Sequence, residues 1–248
     1  MRVLILGAKG GVGKSVISLL VSISLAKEGK KVLVVDRDIN GYISYLAGIR
    51  GYGLLSSVID NVESEYLVDV TLDDFSFSVL KFYGDGVRLF EDVKKLEAHE
   101  VRSEISRRYR EILGQGFEYV IYDNRGMVFP SDLDMKLEIE TYRSLNPMDP
   151  SQWIFVSSAI KPDLDVTMDY SKRLWEKWRE KLQVLSKYLV INMFSQVENI
   201  KIDFNRLEEE YELVTVFPFI EELFQFSGEI KNIPREEHRL TELVKKLI

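Results

Sequence analysis

The sequence predicts an α/β fold in which helices cover both faces of a mostly parallel sheet. Short apolar runs recur along the chain, and several of them end in an acidic or amide residue. Longer segments between these runs carry apolar residues three and four positions apart, which is the spacing of an amphipathic helix. Strands that alternate with helices in this way are typical of parallel sheets built from strand–helix–strand units.

Length and composition predict one large domain or at most two small ones, and the lack of a linker or low-complexity stretch favours a single domain over residues 1–248. Hydrophobic residues make up 46% of the 248 positions, which is enough for a large core. Cys is absent, so disulfides, iron–sulfur clusters and thiolate metal sites are excluded. We expect neither a transmembrane helix nor a signal peptide, because the chain has no long uncharged apolar run and its first residues form a strand.

The charge balance bears on the class of partner. The formal net charge is −7, so the chain lacks the overall basic character of many nucleic-acid-binding proteins. Non-specific DNA binding through a local patch stays possible but is not favoured. The arginines within residues 92–113 alternate with glutamates, which favours an ordinary salt-bridged face over a DNA-binding one.

A glycine-rich turn separates the first predicted strand, Arg2 to Leu6, from the first predicted helix, Lys14 to Lys27. Backbone N–H groups in such a turn can surround phosphate oxygens, and the N-terminus of the following helix adds its dipole. The pattern therefore predicts a phosphate-binding loop. In it, Lys14 would reach the β and γ phosphates and Ser15 would hold Mg²⁺. The glycines of the turn are Gly7, Gly10, Gly11 and Gly13.

The loop departs from the common Walker A pattern GxxxxGK[ST] at its first position, where the sequence has Ala8. Residues 9–15 read KGGVGKS and begin with an additional lysine, Lys9. This variant resembles the deviant Walker A motif of the ParA/MinD family of P-loop ATPases, and it implies a P-loop NTPase fold. The alternative is a chance glycine-rich turn, which the length of the motif and its position between strand and helix disfavour.

The second predicted strand, Lys31 to Asp36, is followed by another acid, Asp38. Loops at the carboxyl ends of parallel strands form the ligand site in α/β sheets, so both acids are expected to face the phosphates. In the family that the motif resembles, this segment is the first switch. The resemblance implies that Asp38 lies beside the attacking water and that Asp36 lies near the Mg²⁺ shell. The alternative is that both acids merely end a strand in a solvated loop.

A later strand, Phe117 to Asp123, also ends in an acid and matches a Walker B motif. Asp123 is the predicted Mg²⁺ residue of this strand. The family usually continues with Pro and then Gly, whereas this chain continues with Asn124, Arg125 and Gly126. Arg125 is interpreted either as a cation that faces the phosphates or as a surface or interface residue, and the second interpretation is favoured.

The resemblance also assigns a nucleotide base site to the last two strands. Asn192 ends the strand Tyr188 to Met193 and is expected to hydrogen-bond adenine through its amide. Pro218 ends the strand Leu213 to Phe219 and is expected to line the same pocket. The remaining predicted nucleotide contacts are Gly10, Gly11, Val12, Gly13, Lys14, Ser15 and Val16.

Four further segments complete the predicted secondary structure. Residues 60–75 are predicted to be an irregular surface excursion. Residues 92–113 are predicted to form one long helix, and residues 165–185 another, preceded by a loop at 161–163. Residues 239–248 are predicted to form a helix that packs on the core rather than an amphipathic membrane tail.

The resemblance covers essentially the whole chain and implies a Mg²⁺-dependent switch that binds and hydrolyses ATP. Lys9 would reach the phosphates of a second copy in an ATP-sandwich homodimer. Such a cytoplasmic switch would act with a regulatory or cargo protein in the partitioning or positioning of DNA or other cargo. The alternative is a nucleotide-binding adaptor or scaffold with little turnover. The predicted catalytic residues are Lys9, Lys14 and Asp38, and the predicted metal residues are Ser15, Asp36 and Asp123.

Overall fold

One sheet of eight strands runs through the residues that the computed structural model describes, which are 1–84, 86–195 and 202–248. The strands are β1 (Arg2–Leu6), β2 (Val32–Arg37), β3 (Leu67–Leu72), β4 (Phe75–Lys81), β5 (Tyr119–Asn124), β6 (Ser151–Ser158), β7 (Val184–Phe194) and β8 (Leu213–Pro218). The α-helices are α1 (Lys14–Lys27), α2 (Tyr42–Leu46), α3 (Leu54–Asp60), α4 (Leu89–Lys95), α5 (His99–Leu113), α6 (Leu133–Leu145), α7 (Lys161–Trp178), α8 (Phe204–Glu210), α9 (Glu221–Phe224) and α10 (Thr241–Leu247).

The strand order is β3-β4-β2-β5-β1-β6-β7-β8, and every neighbouring pair is parallel except β3 with β4. The predicted α/β fold with a mostly parallel sheet is therefore confirmed. From β1 the chain moves towards the β2 side, and after β5 it crosses to β6 on the other side of β1. Ligands of open α/β sheets bind where the winding direction changes, so the carboxyl end of β1 is the expected site.

Helices cover both faces of the sheet because successive residues of each buried strand point to opposite sides. On one face, Val3 and Ile5 of β1 pack with α1 and α10. On the other face, Leu4 and Leu6 pack with α3, α5, α6 and α7. Both faces of β1 are thus in a hydrophobic core, which holds rigid the strand that carries the glycine-rich loop.

The prediction of an irregular segment over residues 60–75 was wrong. It contains β3, which pairs antiparallel with β4 at the edge of the sheet. The side chains of β3 alternate, with Val70 and Leu72 buried and Asp69 and Thr71 exposed. This period-two pattern is typical of a half-buried strand, but it is short and lies beside several acids. A tight turn at Asp73, whose φ of 53° is left-handed, joins β3 to β4.

The prediction of one long helix over residues 92–113 was also wrong, because the chain forms α4 and α5 with a break at Ala98. Leu96 and Ile105 are both buried. They are nine positions apart, about two and a half helical turns, so one straight helix would place them on opposite faces. The extended backbone of Ala98 (φ −72°, ψ 125°) lets both side chains face the core. The salt-bridged face is confirmed, since Arg107 pairs with Glu104 (2.7 Å) and Glu111 (2.5 Å).

The other two helix predictions need new boundaries. Helix α7 begins at Lys161, inside the predicted loop, and ends at Trp178. The left-handed backbone of Gln183 (φ 49°) turns the chain into β7, so Leu185 lies in a strand. In the last segment, a 3₁₀ turn precedes α10, whose Leu243 and Leu247 are buried in the core, as predicted. Within the described ranges, no helix has the length and apolarity needed to cross a bilayer.

Candidate functional site

A cavity of about 510 Å³ opens at the carboxyl edge of the sheet beside the glycine-rich loop. It lies at the point where the sheet changes its winding direction. Segments that are far apart in the sequence meet there, because parallel strands end at one edge of the sheet. The predicted site residues that line it are Gly10, Gly11, Gly13, Lys14, Ser15, Val16, Asp38, Asn192 and Pro218. The sequence thus predicted residues on the loop side of this cavity and on its opposite wall, and their contacts with a nucleotide stay predictions.

Four predicted residues do not line the cavity. Val12 is buried in the core, with 3% of its surface exposed. Asp36 and Asp123 lie beneath the loop at the ends of β2 and β5 and are almost fully buried. Lys9 is not among the lining residues, and its side chain is 62% exposed. The two acids are thus buried next to the loop, whereas Lys9 faces solvent.

The glycine-rich loop depends on the backbone of Gly13. Its φ of 84° is left-handed, and a Cβ there would lie 2.0 Å from Nδ2 of Asn192. Asn192 approaches so closely because Nδ2 donates a hydrogen bond to the carbonyl of Val12 (2.8 Å). The Asn192 amide, which is predicted to contact adenine, thus also acts as a brace: it is a side chain of β7 that fixes the glycine-rich loop through a hydrogen bond to the Val12 carbonyl.

This brace predicts the effect of Gly13→Ala. The methyl group would displace Asn192, so we expect ATP affinity to fall by about tenfold or more, together with a cost of about 1–2 kcal/mol for a left-handed Ala. The control is Gly29→Ala after α1, since Gly29 has a similar φ of 74° and a Cβ added there would meet nothing within 4 Å. Nucleotide titration and urea denaturation of both variants check this, and equal affinities for both would contradict it.

Lys14 begins α1 and is 4% exposed. Its ammonium group donates to the carbonyl of Lys9 (3.2 Å), so it lies folded across the mouth of the loop. Within the described residues, Lys14 forms no ion pair with an acidic side chain. A buried cation without a directly paired counter-charge is suited to an anionic ligand, because the ligand would supply the missing charge.

Lys9 has the opposite environment. Its side chain is 62% exposed and forms an ion pair with Asp163 at the start of α7 (Nζ–Oδ1 3.0 Å). Asp163 also accepts a hydrogen bond from Ser158, and the hydrogen bonds from Ser158 and Lys9 lower the pKa of Asp163. In this arrangement Lys9 contacts solvent rather than its own cavity. That position is compatible with a contact to a second copy.

The two acids after β2 are held in a defined turn. Oδ2 of Asp36 accepts hydrogen bonds from the backbone and hydroxyl of Ser44 (2.8 and 2.7 Å), and Oδ1 accepts from the backbone of Asp38 (3.2 Å). Burial raises the pKa of Asp36 against the effect of these bonds. Asp38 lines the cavity, and its Oδ1 accepts from the backbone of Asn40 (3.0 Å). Asp36 thus shapes the turn that presents Asp38.

The hydrogen bonding of the Asp123 carboxylate shows whether this site fits a metal ion. Its Oδ1 accepts from the hydroxyl of Ser18 (2.9 Å), whereas its Oδ2 is buried without a hydrogen-bond partner. Burial and the neighbouring Asp36 raise the pKa of Asp123 well above its ordinary value, although the nearby Ser15 hydroxyl favours the ionised form. A buried carboxylate oxygen without a partner, next to a serine hydroxyl, fits a hard cation such as Mg²⁺.

Across the described ranges, no group of three or more His, Cys, Asp or Glu side chains could hold a metal ion alone. This agrees with the way Mg²⁺ binds at phosphate sites, where one or two protein oxygens, waters and the phosphates of the substrate share the coordination. The residues that could contribute are Ser15 and Asp123. Asp36 is nearby but already accepts three hydrogen bonds.

The segment after β5 lies directly against the loop. A Cβ on Gly126 would be 3.3 Å from the carbonyl carbon of Lys9, and the N–H of Met127 donates to the carbonyl of Gly7 (2.9 Å). Arg125 pairs with Asp132 (3.0 Å) and Asp134 (3.4 Å). The favoured interpretation of Arg125 as a plain surface residue needs correction, because this arginine is 18% exposed, ion-paired and lines the cavity. Its interpretation as a cation that faces the phosphates stays a prediction.

The sequence reasoning missed most of the apolar wall opposite the loop. After Pro218, the rings of Phe219 and Phe224 lie 5.4 Å apart and line the cavity with Tyr42. The two rings are tilted by 53° to each other, and an aromatic wall of this kind is suited to contact a planar base. The available signal was the run FPFIEELF at residues 217–224, which begins at the end of β8. Ser18 was also missed, although it lies one helical turn beyond Ser15.

These features define a class of protein. A parallel sheet whose first strand leads through a glycine-rich loop with a buried lysine into a helix is the architecture of P-loop nucleotide-binding proteins. Residues 3–233 match the CbiA family, described as the CobQ/CobB/MinD/ParA nucleotide binding domain. The chain belongs to this family. The predicted resemblance and P-loop NTPase fold are confirmed.

Three solved structures of this fold share 16–20% identity with the chain. A plasmid partition protein from Borrelia burgdorferi B31 bound to AMPPNP is 20% identical, with a TM-score of 0.68 over 100% of this chain and 99% of that one. The cell division ATPase MinD of Pyrococcus furiosus is 19% identical, with a TM-score of 0.66 over 100% and 99%. A MinC:MinD cell division complex from Aquifex aeolicus is 16% identical, with a TM-score of 0.64 over 99% and 95%.

These likenesses show a shared fold. No curated protein matches the chain in sequence.

Proposed function

We propose that this protein is a Mg²⁺-dependent switch that binds and hydrolyses ATP and forms an ATP-sandwich homodimer. One observation carries the proposal: Lys14, Ser15 and Asp38 line one cavity, and the unpartnered oxygen of Asp123 lies beneath it. A lysine, a hydroxyl and two carboxylates in these positions are the groups that phosphoryl transfer needs. The AMPPNP in the Borrelia relative supports a nucleotide triphosphate as the ligand.

Lys14 and the loop would bind the phosphates. The N–H groups of residues 10–15 and the N-terminus of α1 offer donors and a favourable dipole to phosphate oxygens. The Lys14 ammonium would leave the Lys9 carbonyl and pair with phosphate oxygens instead. Because Lys14 has little exposure to water, this pair would be stronger than a surface ion pair.

Asp38 would orient the attacking water. One of its carboxylate oxygens accepts from Asn40, and the other has no hydrogen bond in the described part of the chain. That free oxygen can accept a proton or a hydrogen bond from water next to the γ-phosphate. Ser15 and Asp123 would hold Mg²⁺, which when bound neutralises charge on the phosphates.

Lys9 is the residue that would make the dimer part of the mechanism. Its side chain is exposed and pairs with Asp163. Ion pairs at the protein surface contribute little to the free energy of unfolding. Exchanging this contact for the phosphates of a second copy would cost little and would add a cation to each site. ATP would then hold two copies together, and hydrolysis would release them.

The cellular role proposed is the partitioning or positioning of DNA or other cargo, together with a regulatory or cargo protein. The structural likeness to partition and cell division proteins supports this role. We also propose that residues 1–248 form one domain and that the protein is cytoplasmic. The second candidate function is an adaptor with little turnover. It is favoured by Asn124 and Arg125, which stand where the family usually has Pro in the segment after β5, residues 124–127, here called the second switch.

Light scattering tests the switch. We expect ATP with Mg²⁺, but not ADP, to convert monomers to dimers, most durably in Asp38→Ala because this variant would bind ATP without hydrolysing it. Lys9→Ala should bind ATP and stay monomeric. The matched control is Lys161→Ala, an exposed lysine that forms a similar ion pair with Asp165 (2.5 Å) at the start of α7.

If the protein is an adaptor, light scattering should give a different result. The protein would bind ATP, but its molar mass would be the same with ADP, with ATP and without nucleotide. That result would overturn the sandwich dimer and leave nucleotide binding in place. If ATP did not bind at all, the whole proposal would be wrong.

A further inference from the structure

Arg37 lies between the two acids of the first switch but points away from the nucleotide cavity. Successive side chains of a strand alternate, so the Arg37 side chain enters the core on the opposite face from Asp36. It is 1% exposed and its guanidinium lies over the ring of Phe82, 5.2 Å from the centroid. A fully buried arginine needs a counter-charge. The acids next to Arg37 in the chain, Asp36 and Asp38, do not provide it, because their side chains are on the cavity side of the sheet edge.

Asp134 in the first turn of α6 provides this charge. Its Oδ2 accepts from Arg37 (2.7 Å) and from the hydroxyl of Tyr83, and its side chain is fully buried. Burial opposes ionisation of Asp134, but Arg37, Tyr83 and Arg125 outweigh that effect and lower its pKa. Asp134 is therefore a buried anion on α6, and it is bonded to Arg37, the last residue of β2 and part of the first switch.

The other oxygen of Asp134 faces the second switch. Oδ1 lies 3.4 Å from the Arg125 guanidinium, which also pairs with Asp132 (3.0 Å). The backbone joins the same two segments, since the N–H of Arg125 donates to the carbonyl of Arg37 (3.1 Å). One carboxylate thus contacts an arginine from each of the two segments that flank the proposed Mg²⁺ and water positions.

We propose that Asp134 is a positioning residue that fixes residues 36–40 and residues 124–127 relative to each other. This inference rests on the proposed function and deepens it, because it names the residue that would align Asp38 with the phosphate loop. Asp134 is not among the residues that line the cavity, so it acts through Arg37 and through Arg125, which does line it. A displacement of about 1 Å at a reacting group can cost about 100-fold in rate, which gives such an anchor a large effect on turnover.

Asp134→Asn tests the inference because it removes the charge while keeping the shape. We expect ATP affinity within about threefold of the wild type and a kcat for ATP hydrolysis that is reduced by about tenfold or more. Hydrogen exchange on the nucleotide-free protein gives a readout that needs no turnover. The amides of Arg125 and Met127 should exchange at least about tenfold faster in the variant, because their segment would open more often.

Glu138→Gln is the matched control. Glu138 is on the same helix and is fully buried. It bonds to Arg2 (Nε–Oε1 3.0 Å) and lies at a longer distance from Arg37 (3.7 Å), but it does not contact Arg125, so the link to the second segment stays intact in this variant. Its loss should lower stability as Asp134→Asn does, but leave kcat and the exchange of residues 124–127 at wild-type values. Arg125→Gln is a second variant that breaks the contact of Asp134 with Arg125 and keeps its contact with Arg37. It also removes the ion pair with Asp132 and changes a side chain that lines the cavity, so ATP affinity is measured beside kcat. It should lower kcat similarly, and the double variant with Asp134→Asn should be no worse than either single one.

The possible outcomes separate the two proposals. Wild-type kcat and wild-type exchange in Asp134→Asn would overturn the anchor and leave the proposed ATPase intact. Equal losses in Asp134→Asn and Glu138→Gln would also overturn it, because the effect would then be general destabilisation. If the wild type did not hydrolyse ATP, the proposed enzyme would fail, and the exchange measurement would still decide whether Asp134 anchors the second switch.

Discussion

Lys14→Ala is expected to lower ATP affinity by about 100-fold while leaving the protein folded. The ammonium group is buried and forms no ion pair with an acid in the described residues, so phosphate oxygens would be its principal counter-charge. A charge-assisted hydrogen bond contributes about 1.5–3 kcal/mol, and a 100-fold change in affinity is about 2.7 kcal/mol, so one strong bond of this kind accounts for the factor. Titration with a fluorescent ATP analogue measures it.

Folding should change little in this variant. Lys14 gives up one hydrogen bond to the Lys9 carbonyl and the packing of its methylene groups, so we expect a loss of about 1–2 kcal/mol in the free energy of unfolding. Lys27→Ala at the other end of α1 controls for removing a lysine from this helix. Wild-type ATP affinity in a folded Lys14→Ala protein would place the phosphates outside the glycine-rich loop.

The comparison of Lys14 with Lys9 shows what sequence can and cannot predict about this site. The spacing KGGVGKS identified both lysines, because a loop of fixed length between a strand and a helix has few possible shapes. It could not show that one is buried across the loop and the other paired with Asp163. That contact depends on α7 lying beside the loop, 154 positions along the chain. Such long-range placement follows from packing and not from local pattern.

The fold shows the same division. Buried strands such as β1, β2 and β5 were predictable because both of their faces are apolar. The edge strand β3 was not, since half of its side chains face water and its neighbours are acidic. Likewise, the periodicity of residues 92–113 was correct within each helix, and only the core could show that Leu96 and Ile105 need a break between them.

The contact of Arg37 with Asp134 could not be predicted from the sequence for a related reason. The sequence assigns Arg37 no role, because Arg37 stands between two acids that are its neighbours in the chain. In the fold, the alternation of β2 sends Arg37 to the other face, where Asp134 comes from a helix almost a hundred positions later. Nothing in the spacing of Arg37 and Asp134 indicates that they meet.

Asp123→Asn is expected to stabilise the nucleotide-free protein at pH 8 and to abolish ATP hydrolysis. Burial raises the pKa of Asp123 from 3.8 to about 8, so the folded protein binds a proton there that the unfolded chain releases. The bound proton therefore favours the folded state. This contribution to the free energy of unfolding is fully present below about pH 4 and is lost as the pH rises through about 8, at up to about 1.4 kcal/mol per pH unit. Asp36, whose pKa is raised to about 6, adds to the loss over the lower part of this range.

Urea denaturation at pH 5 and pH 8, with EDTA and without nucleotide, measures the effect. The amide of Asn keeps an oxygen for the Ser18 hydroxyl but carries no charge, so the advantage of Asp123→Asn should be small at pH 5 and should grow towards pH 8. Asp169→Asn controls for removing one acid, because Asp169 is exposed on α7. Parallel pH profiles for wild type and Asp123→Asn would show that Asp123 does not carry this destabilising charge.

The expected gain in stability has a functional meaning. A buried, ionised carboxylate destabilises the folded protein when no ligand is bound. Such groups occur at binding sites where a bound cation offsets the charge, so activity is obtained at the expense of stability. Adding ADP with Mg²⁺ at pH 8 should therefore stabilise the wild type by more than it stabilises Asp123→Asn, because only the wild type has a charge for the cation to offset. Equal gains in both proteins would show that the nucleotide binds without using Asp123.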